Sequence, residues 1–359
     1  MSSEFGKSIT VSVFGQSHGE AVGVVINGLP SGEKIDFVSL QEFMERRRGG
    51  KNAFSTKRSE GDVPEFLSGI ENGITCGMPL TAIIRNSDKR STDYSEMLDK
   101  PRPSHADLNA YIKWNGNADM RGGGHFSGRL TAPLCIAGGI AKQILERKGI
   151  YVGAHIDEIY GICDEHFPEY PDNTLFEEIA SKEFPVIDDN SGEKMKEAIS
   201  DASKDLDSVG GIVECAVIGV PQGYGDPMFD GIENKLSSAL FGIPALKGIE
   251  FGKGFDSARI RGSENNDPYG IKDKKIKPLT NNAGGIIGGI TTGEVIKFRV
   301  AFKPTPSIAK EQKTVSISKM EETTLSIKGR HDPCIVPRAL PVVEAVTAIV
   351  ILDVLMGGK

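Results

Sequence analysis

The 359-residue sequence contains no Cys-x-x-Cys pair. Its five cysteines, Cys76, Cys135, Cys163, Cys215 and Cys334, are odd in number, widely spaced and mostly set among apolar neighbours. That spacing speaks against a zinc ribbon, a dithiol redox centre or a disulfide framework, and leaves plain buried thiols. No apolar run reaches the ~20 residues needed to cross a bilayer; the longest, Ala345 to Met356, is interrupted by Asp353 and reads as a buried helix. Polar Ser2, Ser3, Glu4 and Lys7 stand where a secretory signal needs apolar residues, so the expected location is cytoplasmic. Positive charge is not in excess either: a net charge of -7 argues against a general nucleic-acid binder, though local basic patches are compatible with it. Internal repeats, low-complexity tracts and a Gly-x-Gly-x-x-Gly fingerprint after a strand are all missing, which removes the usual signal for a Rossmann dinucleotide site.

What the sequence does have is glycine. Forty-three glycines beside 38% hydrophobic and 25% charged residues describe a folded, loop-rich protein, and the length is compatible with one large domain or two. Ile9 to Phe14 alternates polar and apolar residues and Gly23 to Asn27 is β-branched, so two strands flank the turn Gly15 to Gly19. Asp36 caps a helix running through Arg48, and a second helix spans Thr131 to Lys148 with Gly149 as its C-cap. Strands are expected at Gly211 to Val220 and Val295 to Phe302, and a C-terminal helix is expected to start at Pro341. Segments 164–190 and 263–278, rich in charge, Pro and Asn, read as surface excursions.

Four of the six histidines, His18, His105, His125 and His331, stand in short polar or glycine-rich settings, while His155 and His166 do not. A loop histidine beside glycine can meet a ligand, and its near-neutral pKa suits general acid or base work. Gly15-Gln16-Ser17-His18-Gly19 also fits the Gly-x-Ser-x-Gly nucleophile elbow of serine hydrolases. That elbow must lead into a helix, whereas Gly23 to Asn27 is strand-like, which counts against the hydrolase reading. Arg46, Arg47, Arg48, Lys51, Lys57 and Arg58 cluster, and Arg102, Arg121, Arg129, Lys303, Arg330 and Arg338 each stand near Gly, Pro or His. They form either a solvated basic face or, more simply in an acidic chain, a site for a small polyanion matched by Arg forks. Arg121 to Gly124 before a helix and the run Ala283 to Gly289 are candidate backbone cradles for phosphate. His331-Asp332 lacks a third ligand at metal-binding spacing, so no metal is expected.

In order along the chain, Gly15-Gln16-Ser17-His18-Gly19, Arg46-Arg47-Arg48-Gly49-Gly50, Arg102-Pro103-Ser104-His105-Ala106-Asp107, Arg121 to Arg129, Ala283 to Gly289, Lys303-Pro304-Thr305-Pro306-Ser307 and Gly329 to Cys334 resemble the chorismate synthase family. The resemblance spans about residues 9–355 and implies a single domain over 1–359. The implied fold is α+β, with helices sandwiched between antiparallel sheets, assembled as a homotetramer. It also implies a lyase that eliminates phosphate from 5-enolpyruvylshikimate 3-phosphate with anti-1,4 geometry to give chorismate, using reduced FMN, with NADPH as a candidate reductant. By motif match His18, His105 and Asp332 are the catalytic candidates. His125, Phe126, Ser127, Ala245, Gly288, Lys303, Pro304, Thr305, Pro306, Ser307 and Arg330 correspond to the FMN site, and Arg47 to an NADP position. Ser17, Arg48, Arg102, Arg129 and Arg330 correspond to substrate contacts. The sequence departs from many members in carrying His125-Phe126 where Arg-Ser is common, and Ala53 where a basic residue is frequent. Two alternatives remain open at this point: a serine hydrolase using Ser17, and a non-catalytic flavin-binding protein.

Overall fold

The computed structural model describes residues 3–50, 61–87, 99–272, 274–327 and 332–358. The loop 16–20 folds strand Thr10–Gly15 back on Ala21–Asn27, with Val13 opposite Val24 in the antiparallel register. β-branched residues suit this pleated pair, and Val11, Val22 and Val24 are completely buried on its inner face. The pair lies within a five-stranded antiparallel sheet ordered Glu4–Phe5, Thr10–Gly15, Ala21–Asn27, Leu80–Arg85, Glu65–Ser68. A second antiparallel sheet runs Leu246–Phe251, Ile296–Phe302, Gly211–Ile218, Tyr151–Ile159, Ile162–Cys163.

Helices fill the space between the sheets, the α+β sandwich that the resemblance implied. Helix Thr131–Glu146 packs on the first sheet and on the C-terminal helix Val336–Gly357, which packs on the second sheet. Helix Phe37–Arg47 begins where Asp36 accepts hydrogen bonds from the Val38 and Ser39 amides, a cap worth about 1 kcal/mol, and turns Leu40, Phe43 and Met44 inward. Gln143 then holds the Asp36 backbone at both its N–H and its C=O, each at 2.9 Å, joining that cap to the central helix. Central and C-terminal helices approach so closely at Gly138 that a β-carbon there would lie 2.2 Å from the Ala345 β-carbon.

The C-terminal helix starts at Val336, five residues before the expected Pro341, with Pro337 in its first turn. Pro337 takes the position where a missing N–H costs nothing, while Pro341 sits inside the helix and is buried. By length and composition this helix could cross a membrane, but it lies buried between the two sheets. Its two acidic residues have structural partners. Glu344, 1% exposed, accepts two bonds from Arg46 and one from Lys142, so it ties all three helices together. Burial alone would raise its pKa, but Arg46 and Lys142 outweigh that and hold it at about 2. Asp353 accepts from the backbone amides of Lys7, Ser8 and Ile9 and anchors the start of the first sheet.

Segment 164–190 corrects the reading of a surface excursion. It includes helix Asn173–Ser181, and Phe167, Phe176 and Ile179 form a small second core against Ala216 and Val295 on the outer face of the second sheet. Under this cover runs a row of polar residues placed by strand register: Glu250 opposite Arg299, Arg299 opposite Glu214, Glu214 opposite His155. His155 is fully buried, with Nε2 2.9 Å from Glu214 and Nδ1 3.1 Å from Asp164. Asp157 pairs with His166 at 2.7 Å and Arg299 at 3.4 Å, so the cluster is satisfied from within the chain. Segment 263–278 keeps its exposed character, carrying the hairpin Tyr269–Lys272 and Lys275–Pro278.

Candidate active site

Three consecutive arginines close the first helix, and successive helical positions point in different directions. Arg46 turns to Glu344 in the helix layer. Arg47 turns to the buried carboxylate of Asp62 (2.6 Å), to Thr131 Oγ1 (2.9 Å) and to the Gly128 carbonyl (3.4 Å). Arg48, 3.8 Å from Glu45, faces a cavity of about 900 Å³. Arg129 joins the same group, pairing with Asp62 and donating to Asn86 Oδ1 at 2.9 Å. Asp62 therefore serves two buried guanidinium groups. Its pKa would rise on burial alone, but Arg47 and Arg129 hold it below the usual carboxylate range. Burial, with Arg338 and Arg129 nearby, lowers Arg47 to about 10 despite Asp62, which still leaves it charged at neutral pH.

Glycine shapes the histidine environment. Gly122, Gly123 and Gly124 all have positive φ (62°, 88° and 55°), which lets the 121–126 segment run directly over two imidazoles. A β-carbon on Gly122 would lie 2.1 Å from His18 Nδ1 and 3.0 Å from Ser17 Oγ; one on Gly123 would lie 3.4 Å from His105 Nε2. Ser17 and His18 are buried on the loop between the first two long strands, and the Ser17 amide donates to the Gly124 carbonyl at 3.1 Å. The chain leaves this loop into strand Ala21–Asn27 and not into a helix, so the nucleophile-elbow geometry is not present.

His105 follows a tight turn and lies 2.6 Å from Asp107, which also receives Arg102 Nε at 2.7 Å and Arg102 Nη2 at 2.8 Å. Arg102 Nη1 reaches Ser307 Oγ at 3.2 Å, and Lys303 Nζ donates to the Ser104 carbonyl, so the Arg102–Asp107 and Lys303–Ser307 loops are fastened together. Lys303 is lowered by partial burial and by nearby Lys247. On the far side Asp332 pairs with Arg338 at 2.5 Å, and Arg338 Nε donates to the Arg47 carbonyl at the end of the first helix. His125 is committed within the chain, Nδ1 to the Gly15 carbonyl (2.9 Å) and Nε2 to Ser3 Oγ (2.7 Å). Both of its ring nitrogens are thus held by groups of this chain, and the residue lines the cavity.

Of the residues singled out from sequence, Arg47, Arg48, Arg102, His105, His125, Phe126, Ser127, Arg129, Ala245, Lys303, Thr305, Pro306, Ser307 and Asp332 line this one cavity. Ser17 and His18 sit behind Gly122, which does line it. Pro304 and Gly288 are exposed and do not line it. The Ala283 to Gly289 run lies elsewhere; β-carbons on Gly284, Gly285 and Gly289 would meet neighbouring backbone at 2.4, 2.4 and 2.2 Å, so packing accounts for those three, whereas one on Gly288 would meet nothing within 4 Å. Arg330 and His331, with Lys57, Arg58 and Ala53, lie outside the described residues. Sequence reasoning gave no role to Asp62, Asp107 or Lys247. Asp107 was visible inside a quoted motif, while Asp62 and Lys247 carry no local signal. Among the described residues the lining holds Arg47, Arg48, Arg102 and Arg129 with Lys247, Lys303 and Arg338, against Glu4, Asp62 and Asp332. Seven cations minus three carboxylates leaves an excess of four in a chain whose net charge is -7. The N-terminus of helix Thr131–Glu146 opens on the same space and adds to its preference for anions.

A family model described as chorismate synthase matches residues 9–356. The chain belongs to the chorismate synthase family. A chorismate synthase of Thermococcus kodakarensis is 49% identical over 355 residues, covering 99% of this chain and 98% of that relative. One of Pyrococcus abyssi is 50% identical over 352 residues, covering 98% and 97%. A solved structure titled as the crystal structure of chorismate synthase aligns with a TM-score of 0.76 at 27% identity, covering 98% of this chain and 93% of the other. Family membership makes the chain a lyase that forms chorismate, and the serine-hydrolase alternative is not favoured.

Proposed function

We propose that the cavity binds 5-enolpyruvylshikimate 3-phosphate together with reduced FMN and releases chorismate and phosphate by anti-1,4-elimination. The observation that supports this reading is the cation excess on a cavity lined by the family's own motifs. A substrate with one phosphate and two carboxylates, beside a cofactor with its own phosphate, is the kind of polyanion that such a lining suits. The cavity also has the volume usual for small-molecule sites and offers mixed polar and apolar walls, including Phe126, Ala245 and Leu134.

In this proposal Arg48, Arg102, Arg129 and the undescribed Arg330 bind the substrate anions, with Asp62 and Asp107 holding two of these guanidinium groups in place. Ser17 is a ligand contact, and His18 gives a proton to the departing phosphate. His105 exchanges a proton at the cofactor, and Asp332, steadied by Arg338, assists proton movement there. His125 to Ser127, Ala245 and Lys303 to Ser307 hold the flavin, together with Gly288, Arg330 or both where the bound state brings them near. Reduced flavin, when bound, lends reducing power transiently in a reaction with no net oxidation. NADPH is proposed as a reductant reaching the site near Arg47, and a cytoplasmic homotetramer as the working form.

The test is an anaerobic assay with chemically reduced FMN and the enolpyruvyl substrate, following chorismate absorbance and phosphate release. Folded, FMN-bound protein that forms no chorismate would overturn the proposal in favour of a non-catalytic flavin-binding protein. Replacing the chemical reductant with NADPH tests the NADPH assignment, light scattering tests the tetramer, and fluorophosphonate labelling of Ser17 would revive the hydrolase reading.

A further inference from the structure

We propose that Asp107 is the positioning residue for His105: it fixes the imidazole with its proton on Nδ1 and so leaves Nε2 to exchange a proton on the cavity side. This rests on the catalytic reading of His105 given above. Asp107 opens helix Asp107–Lys113 and is 7% exposed. Oδ1 lies 2.6 Å from His105 Nδ1, and the same carboxylate accepts from Arg102 Nε and Nη2 and from the Arg102 backbone N–H at 3.1 Å.

An ionised carboxylate can only accept, so its short contact requires a proton on Nδ1. Arg102 Nη2, 3.1 Å from the same nitrogen, can only donate, and it would favour a bare Nδ1. The two demands conflict, and the shorter, charge-assisted contact to the carboxylate prevails. Burial alone would raise the Asp107 pKa, but bonds from Arg102 and His105 hold it far below the usual range, so the carboxylate is ionised at neutral pH.

The fixed tautomer has a chemical consequence. His105 lines the cavity, and its Nε2 lies beside Gly123, where a β-carbon would come within 3.4 Å of it. In the neutral ring Nε2 carries a lone pair and can take a proton; in the charged ring it carries one to give. A ring with its proton on Nε2 instead would be neutral and unable to accept there. Asp107 thus sets the ring's protonation form and holds Arg102, with Arg102 reaching on to Ser307.

The experiment compares Asp107→Asn, His105→Ala and the double variant in the anaerobic assay, recording kcat and KM against pH. Expected is a roughly tenfold to hundredfold loss of kcat in Asp107→Asn, a shift of the His105-dependent limb of the pH profile to lower pH, and no further loss when the change is added to His105→Ala. An equal loss in both backgrounds, or an unmoved limb, would overturn the proposal and assign Asp107 to Arg102 or to the fold. Full turnover in His105→Ala would instead sink the catalytic reading of His105. The tautomer itself is read separately, from the imidazole nitrogen signals of ¹⁵N-histidine-labelled wild-type protein. An Nδ1–H signal supports the positioning role, and an Nε2–H signal overturns it whether or not the variants fold.

Discussion

Gly122 passes so close to His18 that any β-carbon at residue 122 would lie 2.1 Å from the imidazole Nδ1, well inside contact distance. The backbone itself covers this histidine on its cavity side, and the Gly122 φ of 62° is one that residues with side chains adopt only at a cost of about 1 kcal/mol.

Gly122→Ala should therefore move either His18 or the 121–126 segment. Displacement on the scale of 1 Å is expected to lower turnover by about a hundredfold with the fold retained. Gly149→Ala, with a φ of 73° and a β-carbon that meets nothing within 4 Å, is the matched control and should keep wild-type turnover. Comparing kcat and melting temperature of the two variants checks this, and normal turnover in Gly122→Ala would refute it.

Asp62 stands between Arg47 and Arg129, and removing its charge leaves two buried cations facing each other. Asp62→Asn keeps the shape and tolerates the positive φ of 48°, so the change is electrostatic. Breaking a buried pair in this way costs about 3–5 kcal/mol. The variant should melt lower, and added inorganic phosphate should raise its melting temperature more than it raises that of wild type. Equal phosphate effects on both proteins would count against Asp62 as the counterion of this pair.

Much of the site was legible before the fold because its chemistry is carried by short loops in which the informative residues are adjacent: Ser17-His18, Arg102 to Asp107, Gly122 to Arg129. Glycine beside histidine or arginine is itself the local signal, and the structure draws these loops to one cavity. Residues that act through partners distant in sequence were not legible. His155 meets Glu214 only through strand register, and Arg129 meets Asp62 across 67 positions. Segment 164–190 read as a surface excursion because its charge, Pro and Asn carry no sign that Phe167, Phe176 and Ile179 fold over the strand Gly211–Ile218. Pro341 misplaced the start of the last helix because a first-turn proline and an interior proline look alike in sequence. Pro337 shows which one occupies the first turn.

Acid should loosen the helix layer through Glu344. Its folded pKa of about 2 lies below its ordinary value of 4.5, so the stabilisation is fully present above about pH 4.5 and is lost as pH falls toward 2. Glu344→Gln should be less stable at neutral pH, by about 3–5 kcal/mol, because Arg46 and Lys142 lose their partner. The gap in melting temperature between wild type and variant should narrow as pH drops below 4.5. A gap that stays constant from pH 7 to 3 would show that Glu344 is not the group being titrated.

Alkali should act with the opposite sign through His155. Burial alone would lower its pKa, but bonds to Asp164 and Glu214, with Asp157 nearby, raise it to about 9 from 6.5. A raised value means that the charged ring is bound more tightly in the folded state. That stabilisation is complete below about pH 6.5 and disappears as pH rises through 9. Arg299 and His166, which face Asp157, temper the local negative charge without replacing the imidazolium between Asp164 and Glu214. His155→Gln keeps hydrogen-bonding capacity but no titrating charge, so its melting temperature should be lower than that of wild type at pH 6 and the two should converge toward pH 9.5. Parallel curves over that interval would mean that His155 is neutral in the fold, and that the row of carboxylates is balanced by Arg299 instead.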